Sequence, residues 1–158
     1  MEMSEALDLG VRYMNEHNLR GWKFEVNDMT RYYGLCNYQE KTIYLSSYAI
    51  FFKTHEEVVD IIKHEIAHAL VGQGHHHDKV WKRKCIEIGG NGKRCGSFAF
   101  IKKYEVKCDW CGRRYRSANR KKKYGECECG PLGVIQHTPT KEFEEYEAWL
   151  KNNTRGSV

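Results

Sequence analysis

The spacing of apolar residues divides the chain into predicted helices and strands. A stripe at helical spacing predicts an amphipathic helix over residues 4–18. Alternation of apolar and polar residues then predicts three strands, over residues 22–26, 31–38 and 42–46. A helix with Trp81 on its apolar face is predicted further along, over residues 78–88, and a glycine pair ends it.

The most apolar helix of the chain is predicted over residues 54–71. Thr54 and Glu57 have the spacing of a capping box at its start, and Gly72 is suited to end it. Because apolar residues occupy most of its faces, we expect this helix to be buried. The residues concerned are Val58, Val59, Ile61, Ile62, Ile66, Ala69 and Leu70.

The last turns of this helix read His64-Glu65-Ile66-Ala67-His68, which is the pattern H-E-x-x-H. Positions i and i+4 share one face of a helix, so both imidazoles can reach one zinc ion. Glu65 then lies beside the metal, where it can act as a general base towards water. The alternative interpretation is a hydrogen-bonded pair of core histidines with an exposed glutamate.

A catalytic zinc ion needs a third protein ligand, and the sequence contains several candidates for it. His75, His76 and His77 follow a glycine-rich turn, and Glu87 on the next helix is a candidate of the kind that gluzincins use. The metzincin spacing fails by one residue. The histidine run is alternatively a solvated loop with incidental affinity for metals.

His77 stands at a distinctive position within this run. His77-Asp78-Lys79-Val80-Trp81 reads H-x-x-x-W, and Asp78 is a suitable N-cap for the predicted helix that follows.

A second chemical site is predicted near the C-terminus. Two cysteine pairs about 15 residues apart suit one tetrahedral zinc ion in a ribbon with strands over 103–107, 113–117 and 133–136. Such a small module depends on the metal for its stability. The alternative is four unrelated thiols. The predicted ligands are Cys108, Cys111, Cys127 and Cys129.

The glycine-rich stretch over residues 89–96 is the predicted domain boundary. We therefore expect a catalytic domain over residues 1–95 and a zinc ribbon over 96–137. A C-terminal helix and tail complete the chain over 138–158, with the helix at 141–151.

Charge is concentrated in the predicted ribbon. Between residues 102 and 123 there are ten basic and two acidic residues, a net charge of +8. Aromatic residues interleave with the bases, which favours binding of single-stranded DNA through phosphate contacts and base stacking. A solvated basic face is the alternative. The predicted contacts are Trp110, Arg113, Arg114, Arg116, Arg120, Lys121, Lys122 and Lys123.

Length and composition set the remaining bounds. A chain of 158 residues accommodates one modest domain with a small metal module. No apolar run approaches the roughly 20 residues of a membrane span, and no signal peptide is evident, so we expect a cytoplasmic protein with no membrane partner. Seven cysteines, an odd number, favour metal binding or free thiols over disulfides.

Taken in order, these motifs resemble the SprT/Spartan family of zinc metallopeptidases. The segments 31–38 and 43–46 resemble the strand pair ahead of that family's catalytic helix, and the cysteine module resembles its C-terminal part. The resemblance implies an α+β fold with a zincin-like domain, in which the H-E-x-x-H helix accompanies a small three-stranded antiparallel sheet. It also implies one catalytic Zn²⁺ on His64, His68 and His77, with Glu65 as the base, and one structural Zn²⁺.

The expected function is therefore zinc-dependent endopeptidase activity on protein substrates, including proteins associated with or crosslinked to DNA. The chain length suits a compact bacterial or phage-type member. Two alternatives are a non-enzymatic, zinc-dependent nucleic-acid-binding protein and a peptidase with no role at DNA. The stabiliser of the oxyanion is left open among Tyr33, Tyr38 and Tyr44.

Overall fold

The computed structural model describes residues 1–94, 102–118 and 126–154, with residues 116–118 described by their backbone alone. The chain forms two compact units, Met1–Phe98 and Ala99–Val158, and each is described separately below. The division into catalytic domain, ribbon and C-terminal segment at residues 95 and 137 stays a prediction. Within the described residues, every helix is too short or too polar to cross a membrane.

The first unit combines helices with one small sheet, so the predicted α+β class is confirmed for this part of the chain. The strand predicted over residues 31–38 is shorter, at Gly34–Asn37, and the helix at Ser47–Phe52 was not predicted. In chain order the elements are α1 (Met3–Glu16), β1 (Lys23–Asn27), β2 (Gly34–Asn37), β3 (Thr42–Ser46), α2 (Ser47–Phe52), α3 (His55–Val71) and α4 (Lys79–Glu87).

The sheet of the first unit has the strand order β1-β3-β2 and is mixed, so the prediction of an antiparallel sheet is wrong. β2 pairs with β3 in antiparallel fashion, and β1 pairs with β3 in parallel. The reason is the path of the chain, which reverses direction between β1 and β2 and again between β2 and β3. Since β3 lies between the other two strands, β1 and β3 run in the same direction.

The core of this unit lies between β3 and α3. Ile43 and Leu45 are buried on β3, and Ile62 and Ile66 are buried on α3. Thr42 and Ser46 are buried as well, which fits the position of β3 at the centre of the sheet. The helix with the H-E-x-x-H motif therefore packs against the central strand of the sheet.

The N-termini of α3 and α4 have the capping groups that the sequence predicts. The Thr54 hydroxyl accepts from the Glu57 backbone N–H at 3.3 Å, and the Glu57 carboxylate accepts from the Thr54 N–H at 2.9 Å, which confirms the capping box. At the start of α4, the Asp78 carboxylate accepts from the Trp81 N–H at 2.9 Å. α3 ends at Gly72, whose φ of 82° favours glycine.

The second unit contains a three-stranded antiparallel sheet followed by a helix. Its strands are in the order β5-β4-β6. The helix buries Phe143 and Tyr146, and the Phe143 ring meets Tyr104 of β4 with centroids 6.0 Å apart. The elements are β4 (Tyr104–Cys108), β5 (Arg114–Ala118), β6 (Ile135–Pro139) and α5 (Lys141–Thr154).

Candidate metal centres

Three histidines of the first unit point their Nε2 atoms at one place. His64 and His68 lie one turn apart on α3, and His77 lies in the loop just before α4. The His77 Nε2 atom is 2.8 Å from that of His64 and 3.1 Å from that of His68. All three residues offer a ligand atom within 4.8 Å of the others. The structure thus brings together the three predicted ligands of the catalytic metal.

The donor set suits zinc. Tetrahedral Zn–N bonds of about 2.0–2.1 Å place ligand nitrogens roughly 3.3 Å apart, close to the spacing seen here. Three nitrogen lone pairs directed at one point repel one another unless a cation lies between them. Three imidazoles also leave a fourth position open, as catalytic zinc sites require.

Burial keeps these imidazoles in the form that binds a metal. It lowers the pKa of His64 to about 3 and that of His68 to about 4. The pKa of His77 is also lowered, chiefly by burial and then by the nearby charge of Arg94. All three side chains are therefore neutral near pH 7, when their Nε2 lone pairs are free.

Trp81 packs against all three histidines. It is 1 % exposed, and its ring centroid lies 4.5 Å from that of His64 and 4.6 Å from that of His77. His77 itself has a φ of 57°, a left-handed conformation that non-glycine residues seldom adopt. The Asp78 cap and the Trp81 packing on either side of α4's first turn hold this conformation in place.

The second ring nitrogen of His64, Nδ1, lacks a hydrogen-bond partner, within the part of the chain that the structure describes, that would fix the orientation of the ring. The His64 Nδ1 atom is buried and has no hydrogen-bond partner among the described residues. The Lys93 backbone is near enough to raise the pKa of His64 slightly, although its geometry falls short of a hydrogen bond. A metal-binding histidine usually donates this second N–H to an acceptor.

Glu65 is buried beside the histidines. It is 7 % exposed, and burial raises the pKa of its carboxyl to about 8. The nearby backbone of Cys36 on β2 opposes that shift. A cation bound at the histidines would favour the carboxylate, which is the form that can act as a general base.

The other third-ligand candidates lie outside the histidine group. His75 Nδ1 lies 2.7 Å from an Asp78 carboxylate oxygen, and His76 is exposed. Glu87 pairs with Lys84 at 2.6 Å on the surface of α4.

Two of the tyrosines considered for the oxyanion already donate elsewhere. The Tyr38 hydroxyl donates to the backbone carbonyl of His68 at 3.0 Å, and that of Tyr44 donates to Glu40 at 2.8 Å.

Four cysteines of the second unit form a second group. Cys108 and Cys129 have their Sγ atoms 3.7 Å apart, and so have Cys111 and Cys127. Zn–S bonds of about 2.3 Å in a tetrahedron place the sulfurs roughly 3.8 Å apart, so the group fits zinc. The Tyr115 hydroxyl donates to Cys127 Sγ at 3.1 Å and is the main cause that lowers the pKa of this thiol to about 6.

Sequence reasoning overlooked a contribution from Gly133. A Cβ atom at this position would lie 2.6 Å from Cys129 Sγ and 2.8 Å from Cys108 Sγ. Only glycine therefore fits against the thiol group, which includes Cys127 and Cys129. The available signal was its position four residues after that pair.

Comparison with known protein families identifies the family of the chain. The model of the SprT-like family matches residues 6–120, which is more than half of the chain. The chain belongs to the SprT-like family. No curated protein matches it. The SprT-like match includes the three histidines, Glu65 and the first cysteine pair, and it confirms the resemblance read from the sequence.

The structure of this SprT-like protein describes only some of the side chains that are predicted to contact nucleic acid. Trp110 is 67 % exposed, and Arg114 is exposed on β5. Arg113 forms an exposed ion pair with Glu128. The side chains of Arg116, Arg120, Lys121, Lys122 and Lys123 lie outside the described residues.

Proposed function

We propose that this SprT-like protein is a zinc-dependent metalloendopeptidase. The observation that carries the proposal is the buried carboxyl of Glu65 next to three converging imidazole nitrogens. In this proposal His64, His68 and His77 hold one catalytic Zn²⁺, and the four cysteines hold one structural Zn²⁺. The catalytic ion supplies Lewis acidity, which acidifies water and polarises the scissile carbonyl.

The protein's own groups perform the proton transfers. Glu65 accepts the proton of the attacking water and later returns it to the amine that leaves. Burial keeps the histidines neutral, and the packing of Trp81 on their rings orients them. Burial at the site excludes competing water from the carboxyl.

An extended protein segment is the substrate that suits this arrangement. β2 is an edge strand, and the Glu65 carboxyl lies against it at Cys36. A substrate in extended conformation that passes alongside β2 would reach the reacting groups.

We further propose that the second unit binds single-stranded DNA and that the substrates are proteins at or crosslinked to DNA. The support is the net charge of +8 between residues 102 and 123 and the exposed ring of Trp110. Leu132 and Val134 are also exposed in this unit, at 68 % and 57 %. Cytoplasmic action in a bacterial or phage-infected cell stays a prediction.

The decisive experiment is proteolysis by the zinc-loaded protein and its Glu65→Gln variant. Loss of the base is expected to lower kcat by about 10²–10⁴-fold, while zinc content and fold are kept. Glu87→Gln is the matched control, since Glu87 is an exposed glutamate on α4, and it should cleave at the wild-type rate. A wild type that cleaves no protein yet binds DNA only when zinc-loaded would instead support the non-enzymatic alternative.

A further inference from the structure

Gly34, the first residue of β2, lies directly against Glu65. A Cβ atom at position 34 would be 2.6 Å from Glu65 Cγ, 2.8 Å from Oε1 and 3.0 Å from Cδ. Contacts under 3.0 Å do not occur for real Cβ atoms, so no side chain fits there while Glu65 keeps its place. A side chain at this position would therefore force the Glu65 side chain to move.

The requirement is one of space, not of backbone conformation. The φ angle of Gly34 is not positive, and Gly34 pairs as an ordinary strand residue opposite Leu45 of β3. Alanine would adopt this backbone without strain. The three heavy atoms nearest to the missing Cβ all belong to the Glu65 side chain, so Glu65 is the group that must move.

Cys36, two residues further along the same strand, also lies close to Glu65. Its backbone is near enough to the Glu65 carboxyl to oppose the rise in the pKa of that group. In a strand, residues i and i+2 direct their backbone N–H groups to the same side, so Gly34 and Cys36 present one edge of β2 to Glu65. The Tyr33 carbonyl, by contrast, accepts from the Ser46 N–H at 2.8 Å on the side that pairs with β3.

We propose that Gly34 is a positioning residue for the general base. The missing side chain lets the Glu65 carboxyl settle against β2 beside the three histidines. A side chain at position 34 displaces the carboxyl while leaving the metal ligands in place. This inference rests on the proposed peptidase function and assigns a second element, β2, to the catalytic geometry.

The first test compares Gly34→Ala with Gly10→Ala in the zinc-loaded full chain. Both substitutions add one methyl group where it overlaps a side chain, at Glu65 and at Phe24 respectively. Gly34→Ala is expected to lower kcat by about 10²-fold with zinc content and KM retained, since a displacement of about 1 Å has that effect. Gly10→Ala is expected to lower stability alone. An unchanged kcat for Gly34→Ala overturns the inference.

The second test needs no activity. Gly34→Ala is introduced into the wild type and into Glu65→Ala, and urea unfolding is measured for all four proteins. The substitution is expected to lower the unfolding midpoint of the wild type and to have no such effect once the Glu65 side chain is removed. Equal effects in both backgrounds overturn the inference. A wild type without proteolysis overturns the proposed function, and this cycle then still decides whether Gly34 makes room for Glu65.

Discussion

The indole of Trp81 lies against the imidazole of His68, with ring centroids 5.2 Å apart and planes inclined by 26°. The Trp81 Nε1–H also donates to the backbone carbonyl of His64 at 3.4 Å. One side chain of α4 thus contacts both histidines of α3. Because His77 directly precedes α4, the same residue also ties the third histidine to the other two.

Trp81→Ala is expected to weaken both the fold and the binding of catalytic zinc. Removal of a fully buried tryptophan typically costs about 3–5 kcal/mol of the free energy of unfolding. Urea unfolding measures this loss, and competition with a chelator measures zinc affinity. Trp110→Ala is the control, since this exposed tryptophan should leave both quantities unchanged. Wild-type zinc affinity in Trp81→Ala would show that the indole does not orient the histidines.

The third ligand is tested by single substitutions in the histidine run. His77→Ala is expected to remove one zinc ion per chain, because one of three protein ligands of that site is lost. His75→Ala and His76→Ala should retain the wild-type content, since neither residue belongs to the converging group. Mass spectrometry of the native proteins counts the metal ions. Loss of zinc from His75→Ala with retention in His77→Ala would assign the ligand to His75.

The buried carboxyl of Glu65 predicts a pH dependence for the metal-free protein. Its pKa is raised from 4.5 to about 8 on folding, chiefly by burial. The stability it contributes is fully present below pH 4.5 and is lost as the pH rises through 8. Relative to Glu65→Gln, the wild type should therefore lose up to about 1.4 kcal/mol per pH unit in between.

Urea unfolding of both proteins in chelator, from pH 5 to pH 8, measures this difference. Subtraction removes the contribution of every group that the two proteins share. Added zinc should flatten the difference, since a nearby cation favours the carboxylate. A difference that does not vary with pH would place Glu65 in a solvated environment.

The basic segment predicts salt-dependent binding of single-stranded DNA. Each phosphate contact should contribute about 0.7 to the slope of log affinity against log salt. Joint neutralisation of Arg120, Lys121, Lys122 and Lys123 should flatten this slope. Trp110→Ala should lower affinity with little change in slope, because stacking releases no counterions.

Fluorescence anisotropy over a salt series measures both quantities for the zinc-loaded protein. Lys141→Gln is the control, since this lysine is 88 % exposed at the start of α5 and lies outside the basic segment. Absence of binding at low salt would identify the charge as a solvated face and favour a peptidase with no role at DNA.

Local signals accounted for the parts of the fold that were predicted. The capping box at Thr54 and the helical period behind it located α3 within one residue. α2 was missed because β3 passes directly into it at Ser47, with no glycine or proline to mark the boundary. Strand order was beyond reach, since alternation identifies a strand but carries no information about its partner.

In the candidate sites, too, local sequence patterns identified some residues and not others. His64, Glu65 and His68 lie within one turn of helix and could be found by spacing, and His77 by its register with Trp81. Gly34 could not be found in this way. Its contribution is the absence of atoms next to a residue far along the chain, and a glycine between Tyr33 and Leu35 has no local mark of that role.

The central position of β3 also has a consequence for synthesis on the ribosome. β1 is complete at Asn27, but the strand with which it pairs ends only at Ser46. At about 5–20 residues per second, β1 waits roughly 1 to 4 seconds with its pairing edge exposed. The sheet then forms by insertion of a later strand between two earlier ones, so it is complete only just before α3 is synthesised.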